Sequence, residues 1–288
     1  MSPHLCLGTV QFGLPYGVTN TLGQVPESEV KSILALASRA GIRLLDTAQA
    51  YGSAEEVLGR CCNPSTQFRL ISKLPAQAPY ETWESNLQAS LHHLRTDRLD
   101  SFLLHSAADL LGPDGDKLLD WLEDLRGRGL VDRIGVSIYE ANELEYLPLD
   151  RIQLVQLPLS LYDQRLLKDG TVARLKSLGI GVHARSLFLQ GLLLQSSKYW
   201  PEFISPAFRE HHLKFQDYLF QQGLSLLEGI LYFARSCQSL EAFLIGVLSV
   251  QELEGILKAW SGSYKINSLD EWAWETPSDL DPRLWPSR

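Results

Sequence analysis

Residues 41–59, GIRLLDTAQAYGSAEEVLG, hold one complete structural step. The run from Ile42 to Leu45 is short and mostly apolar, as expected of a strand covered on both faces in a parallel sheet. It ends in a titratable residue, Asp46, and Ser53 with Glu56 then matches the S-x-x-E box that satisfies orphan N–H groups where a helix begins. Working outward, runs rich in Leu, Ile and Val also begin near Leu5, Phe68, Leu99, Arg133, Ile152, Ile180 and Ala242, each followed by helical signals. Between them the period changes: Val30, Ile33, Leu34 and Ala37 recur at helical spacing, as do Leu253, Ile256, Leu257 and Trp260 behind a second box, Ser249 with Glu252. Eight βα steps predict a single-domain (β/α)8 TIM barrel over residues 1–288, with a doubly wound sheet as the alternative. The pattern breaks between Gly191 and about Gly223, where Pro201 and Pro206 interrupt and Ala207 to Phe220 reads as an extra helix. This predicts a long insertion, with a mobile lid over the site as its hypothetical role.

Composition narrows the class of partner. A net charge of −8 without any Lys/Arg run argues against nucleic acid and for a small molecule. Cys6, Cys61, Cys62 and Cys237 form no CxxC pair and no metal-ligand spacing, which fits a reducing compartment and no metal. The first residues, MSPHLCLGTVQFGL, lack a basic leader, and no stretch reaches the roughly 18 apolar residues of a membrane span. The expectation is a cytoplasmic protein with no membrane partner.

Three titratable residues stand where apolar strands end: Asp46 after IRLL, Lys73 after RLIS and His105 after SFLL. Strand C-termini of a barrel open onto one mouth, so groups dozens of residues apart in sequence would converge there. Each alone has an ordinary structural reading, as a turn residue, a rim charge or a satisfied loop partner. Tyr51 follows Asp46 closely and would join them. A phenol titrates near pH ~10, and a neighbouring ammonium lowers that value by favouring phenolate; Lys73 is placed to do this, with Asp46 holding it charged. His105 would hydrogen-bond a substrate oxygen and steer it toward the Tyr51 hydroxyl. Such a set protonates a carbonyl oxygen.

With these residues in order, the chain resembles the aldo-keto reductase family, of a bacterial branch, over nearly its whole length: the GIRLLDTAQAYGSAEEVLG segment, then the Lys of ISK and the His of LLH. The resemblance implies a catalytic tetrad of Asp46, Tyr51, Lys73 and His105, and reduction of an aldehyde or ketone by hydride from NADPH, with NADH as the alternative. It also implies cofactor contacts at Gly8 and Thr9 in LGTVQFG, Ser137 in GVSIYE, Gln156 in LVQLP, Arg185, Ser186, Leu187 and Gly191 in HARSLFLQG, and Gly246, Ser249 and Glu254 in FLIGVLSVQELEG. Four positions depart from the family: Ile138 where Asn commonly follows Ser137, Arg185 where an aromatic is common, Leu248 where a basic residue grips the 2′-phosphate, and Gly255 where an Asn often contacts adenine, leaving Glu254. Arg185 could stack on the nicotinamide, meet an anionic substrate or the cofactor pyrophosphate, or form a rim ion pair.

Phe12, Tyr16 and Tyr162 lie past strand ends and would line a substrate pocket. The long first loop, QFGLPYGVTNTLGQ, looks like a branch associated with sugar metabolism, and a glycan-derived carbonyl and a small aromatic aldehyde both suit it. Two rival functions are a lysine-dependent aldolase, with Lys73 as nucleophile, and a cofactor-sensing barrel resembling the potassium-channel β subunits.

Overall fold

The computed structural model describes residues 2–62, 68–264, 266 and 269–286. Eight parallel strands close into a barrel in sequence order. They are β1 (His4–Gly8), β2 (Leu44–Asp46), β3 (Arg69–Leu74), β4 (Leu99–Leu104), β5 (Val131–Ser137), β6 (Leu154–Pro158), β7 (Gly181–Arg185) and β8 (Ala242–Gly246). Closure comes from β1 pairing with β2 through Cys6, Leu7 and Gly8 and with β8 along its whole length. The doubly wound alternative is thereby excluded.

The helices are α1 (Val10–Gly13), α2 (Glu27–Arg39), α3 (Ala54–Cys61), α4 (Trp83–Leu94), α5 (Gly115–Gly127), α6 (Arg165–Lys168), α7 (Thr171–Ser177), α8 (Pro206–Gln221), α9 (Leu226–Ser236), α10 (Val250–Ser261) and α11 (Pro277–Leu280). The stripe Val30, Ile33, Leu34 and Ala37 is the buried face of α2, and each of its three larger side chains contributes ~1.5–3 kcal/mol by leaving water. One expected step is absent: among the described residues no α-helix joins β5 to β6, only 3₁₀ turns at Ala141–Leu144 and Leu149–Arg151. The connection is short, and Pro148 lacks the N–H a continuing helix needs.

The two sequence boxes behave differently. Ser249 accepts from the Glu252 N–H at 3.2 Å and caps α10. Ser53 makes no cap, because its hydroxyl instead accepts from Gln24 Nε2 at 3.1 Å. A complete reciprocal box of this S-x-x-E type is instead at Ser225 and Glu228, at the start of α9.

The interior of the barrel is a packed layer of Cys6, Leu44, Ile71, Leu103, Leu154 and Ala242. Side chains alternate along a strand, so the next inward position comes two residues later. Those positions are Gly8, Asp46, Lys73, His105 and Gln156, and by the same parity Ser137 follows Gly135 and Arg185 follows His183. An apolar floor thus lies beneath a mostly polar ring at the C-terminal mouth, to which β8 contributes the apolar Leu244, and the other members are residues singled out from the sequence.

Candidate active site

Lys73 Nζ donates to Asp46 Oδ1 at 2.6 Å and to the Thr47 carbonyl at 2.8 Å, and both Lys73 and Asp46 are fully buried. The second carboxylate oxygen of Asp46 accepts from Gln156 Nε2 at 2.8 Å. Thr9 holds the backbone of the same residue, its Oγ1 donating to the Asp46 carbonyl at 2.9 Å. The Tyr51 ring lies 5.0 Å from Lys73 Nζ and meets His105 edge to face at 6.0 Å. Tyr51 owes its position to two glycines. A Cβ at Gly13 would stand 1.9 Å from the Tyr51 carbonyl oxygen, and Gly52 takes φ +58° against Gly13. Helix α1 therefore seats directly on the turn that carries the phenol.

Electrostatics divide the labour. Burial opposes the charge on Lys73, but Asp46 and Tyr51 outweigh it and its pKa is raised, so the amine stays protonated. That state is wrong for a Schiff-base nucleophile and right for a group that stabilises phenolate. Burial pushes the Tyr51 phenol up, with Lys73 pulling the other way. The sequence reading stressed only the ammonium; in the folded protein desolvation dominates, and Tyr51 rests as a protonated donor. His105 is driven down to about 4 by burial, with Lys73 adding to the effect, so it is a neutral hydrogen-bonding group near pH 7.

A cavity of about 720 Å³ opens over this ring. Of the residues expected there, its wall contains Asp46, Tyr51, His105, Gly8, Thr9, Tyr16, Ser137, Gln156, Arg185, Ser186, Leu187, Gly191 and Gly246. Lys73 sits behind the wall, bonded to Asp46. Four expectations need correction. Phe12 is fully buried in the core beneath α1. Tyr162 is likewise sealed, its hydroxyl 2.7 Å from His212 Nδ1. The Ser249 hydroxyl is committed to capping, and Glu254 is exposed; the turn of α10 instead directs Gln251, Glu252 and Gly255 to the cavity. Tyr139 was missed, although an aromatic two residues beyond the strand-end Ser137 was a readable signal. Gln11, Thr19, Gln190 and Gln195 carried no such signal, being loop residues brought in by backbone shape.

A nicotinamide cofactor passes a test on the wall itself. Gln156 Oε1 is buried with no hydrogen-bond partner, an arrangement costly unless a bound molecule donates to it, and a carboxamide N–H is such a donor. The volume also falls in the ~300–1,000 Å³ range of ligand sites. Among the described wall residues Arg185 is the one Lys or Arg side chain, and at α10 the Leu248 N–H donates to Glu252 Oε2 at 2.7 Å. The described residues hold no cluster of metal-ligating side chains and no helix long and apolar enough to cross a membrane.

Comparison with known proteins agrees with this geometry. The family model described as "Aldo/keto reductase family" matches residues 4–273. An aldo-keto reductase of Mycolicibacterium vanbaalenii is 32% identical over 131 residues, 43% of this chain and 46% of that protein. One from Mycobacterium sp. strain KMS is 32% identical over 180 residues, 59% of this chain and 63% of that one. The matched stretch thus spans between about half and two thirds of these curated relatives. Among solved structures, an aldo-keto reductase from Bacillus halodurans in its holo form superposes with TM-score 0.74 at 19% identity, covering 93% of this chain and 90% of that one. A thermostable aldo-keto reductase in complex with the inhibitor epalrestat superposes with TM-score 0.70 at 21% identity, covering 94% and 95%. At these identities the superpositions speak for the fold.

Proposed function

The chain belongs to the aldo/keto reductase family, and from that premise we propose that it reduces an aldehyde or ketone to the alcohol with NAD(P)H, using Tyr51 as the proton donor. The observation that carries the reading is the buried Lys73–Asp46 pair beside Tyr51, with neutral His105 across the ring. Gln156, Ser137, Gly8, Leu187 and Gly246 are the wall residues we assign to the cofactor. When bound, the nicotinamide supplies hydride to the carbonyl carbon.

The protein's own residues handle the proton. His105, uncharged, donates an N–H to the carbonyl oxygen and orients it. The Tyr51 O–H, which burial keeps protonated at rest, passes its proton to that oxygen as negative charge develops there. The phenolate left behind is stabilised by the Lys73 ammonium, which the Asp46 carboxylate and the Thr47 carbonyl hold in place by accepting from Nζ. The apolar floor below the ring keeps water from the pair, which strengthens each of these interactions.

The scarcity of wall cations bears on cofactor choice. With Leu248 where the family carries a basic residue, and Glu252 beside it, a 2′-phosphate gains no charge-assisted partner at α10, so NADH should bind about as tightly as NADPH. Fluorescence titration with each reduced cofactor, followed by loss of nicotinamide absorbance on adding an aldehyde panel, tests the whole reading. Absence of binding by both cofactors at sub-millimolar concentration would end the hydride-transfer assignment while leaving the fold.

A further inference from the structure

We propose that the carbonyl substrate carries a carboxylate and that Arg185 receives it; the inference rests on the reductase reading above. Arg185 closes β7 on the same inward ring as Asp46, Lys73 and His105, and it lines the cavity with Tyr51 and Tyr16. The other arginines of this rim are neutralised. Arg165 pairs with Asp163 at 2.8 Å and Glu140 at 2.7 Å, and Arg283 with Asp281 at 2.6 Å. Among the described residues no carboxylate pairs with Arg185, which removes the rim ion pair from the readings open in the sequence.

The guanidinium is nevertheless held still. Nη2 donates to the Ile138 carbonyl at 3.0 Å, and Cζ sits 3.9 Å from the centre of the Tyr139 ring. Arg283 Cζ lies 3.5 Å from the same centre, and two guanidinium groups that close cannot share one face, so Tyr139 is clamped between them. A half-buried cation fixed in this way without a counter-ion is placed to receive one from a ligand. The planar fork keeps N–H donors beyond the one spent on Ile138, the geometry that takes a carboxylate bidentately.

Position separates the cofactor's phosphates from the substrate as the source of that anion. The Arg185 charge acts on Tyr51, His105 and Tyr16, so it stands at the reacting end of the cavity. A dinucleotide's phosphates lie a ribose away from its reacting ring, whereas a substituent of the carbonyl compound lies next to it. Tyr16 and Tyr139 border the same space and suit an apolar or aromatic spacer between carbonyl and carboxylate. The protein as a whole is acidic, with net charge −8, so selection for an anion must come from this local cation and not from the overall field.

The test compares para-carboxybenzaldehyde with its neutral isostere, the para-carboxamide, at saturating reduced cofactor; the semialdehyde of succinic acid and its amide vary the spacer. In the native protein kcat/KM for the acid should exceed that for the amide by about tenfold or more, mainly through KM. The ratio should fall to about one in Arg185→Gln, and Arg185→Lys should keep part of it, having the charge without the fork. A native ratio at or below one in both pairs overturns the proposal. So does a ratio that survives Arg185→Gln while the cofactor dissociation constant rises, since that would give Arg185 to the cofactor. Reduction of neither acid nor amide in the presence of bound cofactor would instead bring down the reductase reading, and this inference with it.

Discussion

The two halves of the barrel mouth are built on different principles. On the β2–β4 side the chemistry stands on strands: Asp46 and Lys73 are sealed from solvent and each is fixed by two polar contacts. On the β7–β8 side the wall is shaped by backbone. Ser186, Leu189 and Gln190 take φ of +65°, +46° and +55°, and Gly191 follows at +91°. These left-handed residues fold the segment after β7 back against the first loop, where Thr19 Oγ1 donates to the Gln190 carbonyl at 3.2 Å. Within the insertion beyond, Trp200 Nε1 donates to the Leu192 carbonyl at 2.8 Å, and His212 Nε2 of α8 lies 2.9 Å from the Gln195 carbonyl. One half depends on side-chain identity, the other on conformation, and substitutions should separate the two.

The largest effects belong to the first half. Tyr51→Phe removes the hydroxyl we assign as proton donor and should lower kcat by about 10²–10⁴-fold while the unfolding midpoint in denaturant barely moves. A fall of less than about tenfold would mean that the proton comes from elsewhere. Lys73→Met leaves Asp46 as a buried carboxylate with Gln156 as its remaining side-chain partner, and should cost about 3–5 kcal/mol of stability as well as activity. Equilibrium urea unfolding reads this directly; a loss under about 1 kcal/mol would show that water reaches the pair.

The second half should respond to shape. Gly191→Ala introduces a Cβ 2.1 Å from Thr19 Oγ1 at a φ that side chains disfavour, and should cost about 1–3 kcal/mol in the same assay. Leu248→Arg should strengthen NADPH binding relative to NADH by about tenfold in a fluorescence titration, by offering the 2′-phosphate a cation. An unchanged ratio would place that phosphate away from α10.

The same division explains what could be read in advance. Asp46, Lys73 and His105 were legible because they are charged or polar interruptions of apolar strands, and strand parity then aims them inward without further information. Expecting eight strands from eight apolar runs worked for the same reason. Phe12 and Tyr162 misled, because an aromatic past a strand end reads alike whether it faces a cavity or the core; α1 and α8 decide, and their packing is non-local. The Ser53 box failed because Gln24, 29 residues earlier, claims the hydroxyl. The left-handed positions at Ser186, Leu189, Gln190 and Gly191 were nearly invisible, since of these only glycine advertises positive φ. The cation at Arg185 was visible as a departure, but its lack of a carboxylate partner is a property of the assembled rim.

The smallest expected effect is a flat line, and it contrasts the halves most cleanly. His105 on the catalytic side and His212 in the insertion are both held down to about 4, in each case chiefly by burial. Because these folded pKa values lie below the unfolded value of ~6.5, the stability linked to them is fully present above that value and is lost as pH falls toward about 4, where the folded groups protonate too. Unfolding free energy should therefore decline across that window, and His105→Gln and His212→Gln should each remove part of the slope. In the proposed mechanism turnover depends on only one of the two. With His105 neutral down to about 4, kcat/KM should stay level from about pH 5 to pH 8, even as stability drops. An acid limb near pH ~6.5 in the native enzyme, absent from His105→Gln, would show instead that His105 titrates as a solvated imidazole and that the mouth around it is wetter than its buried neighbours require.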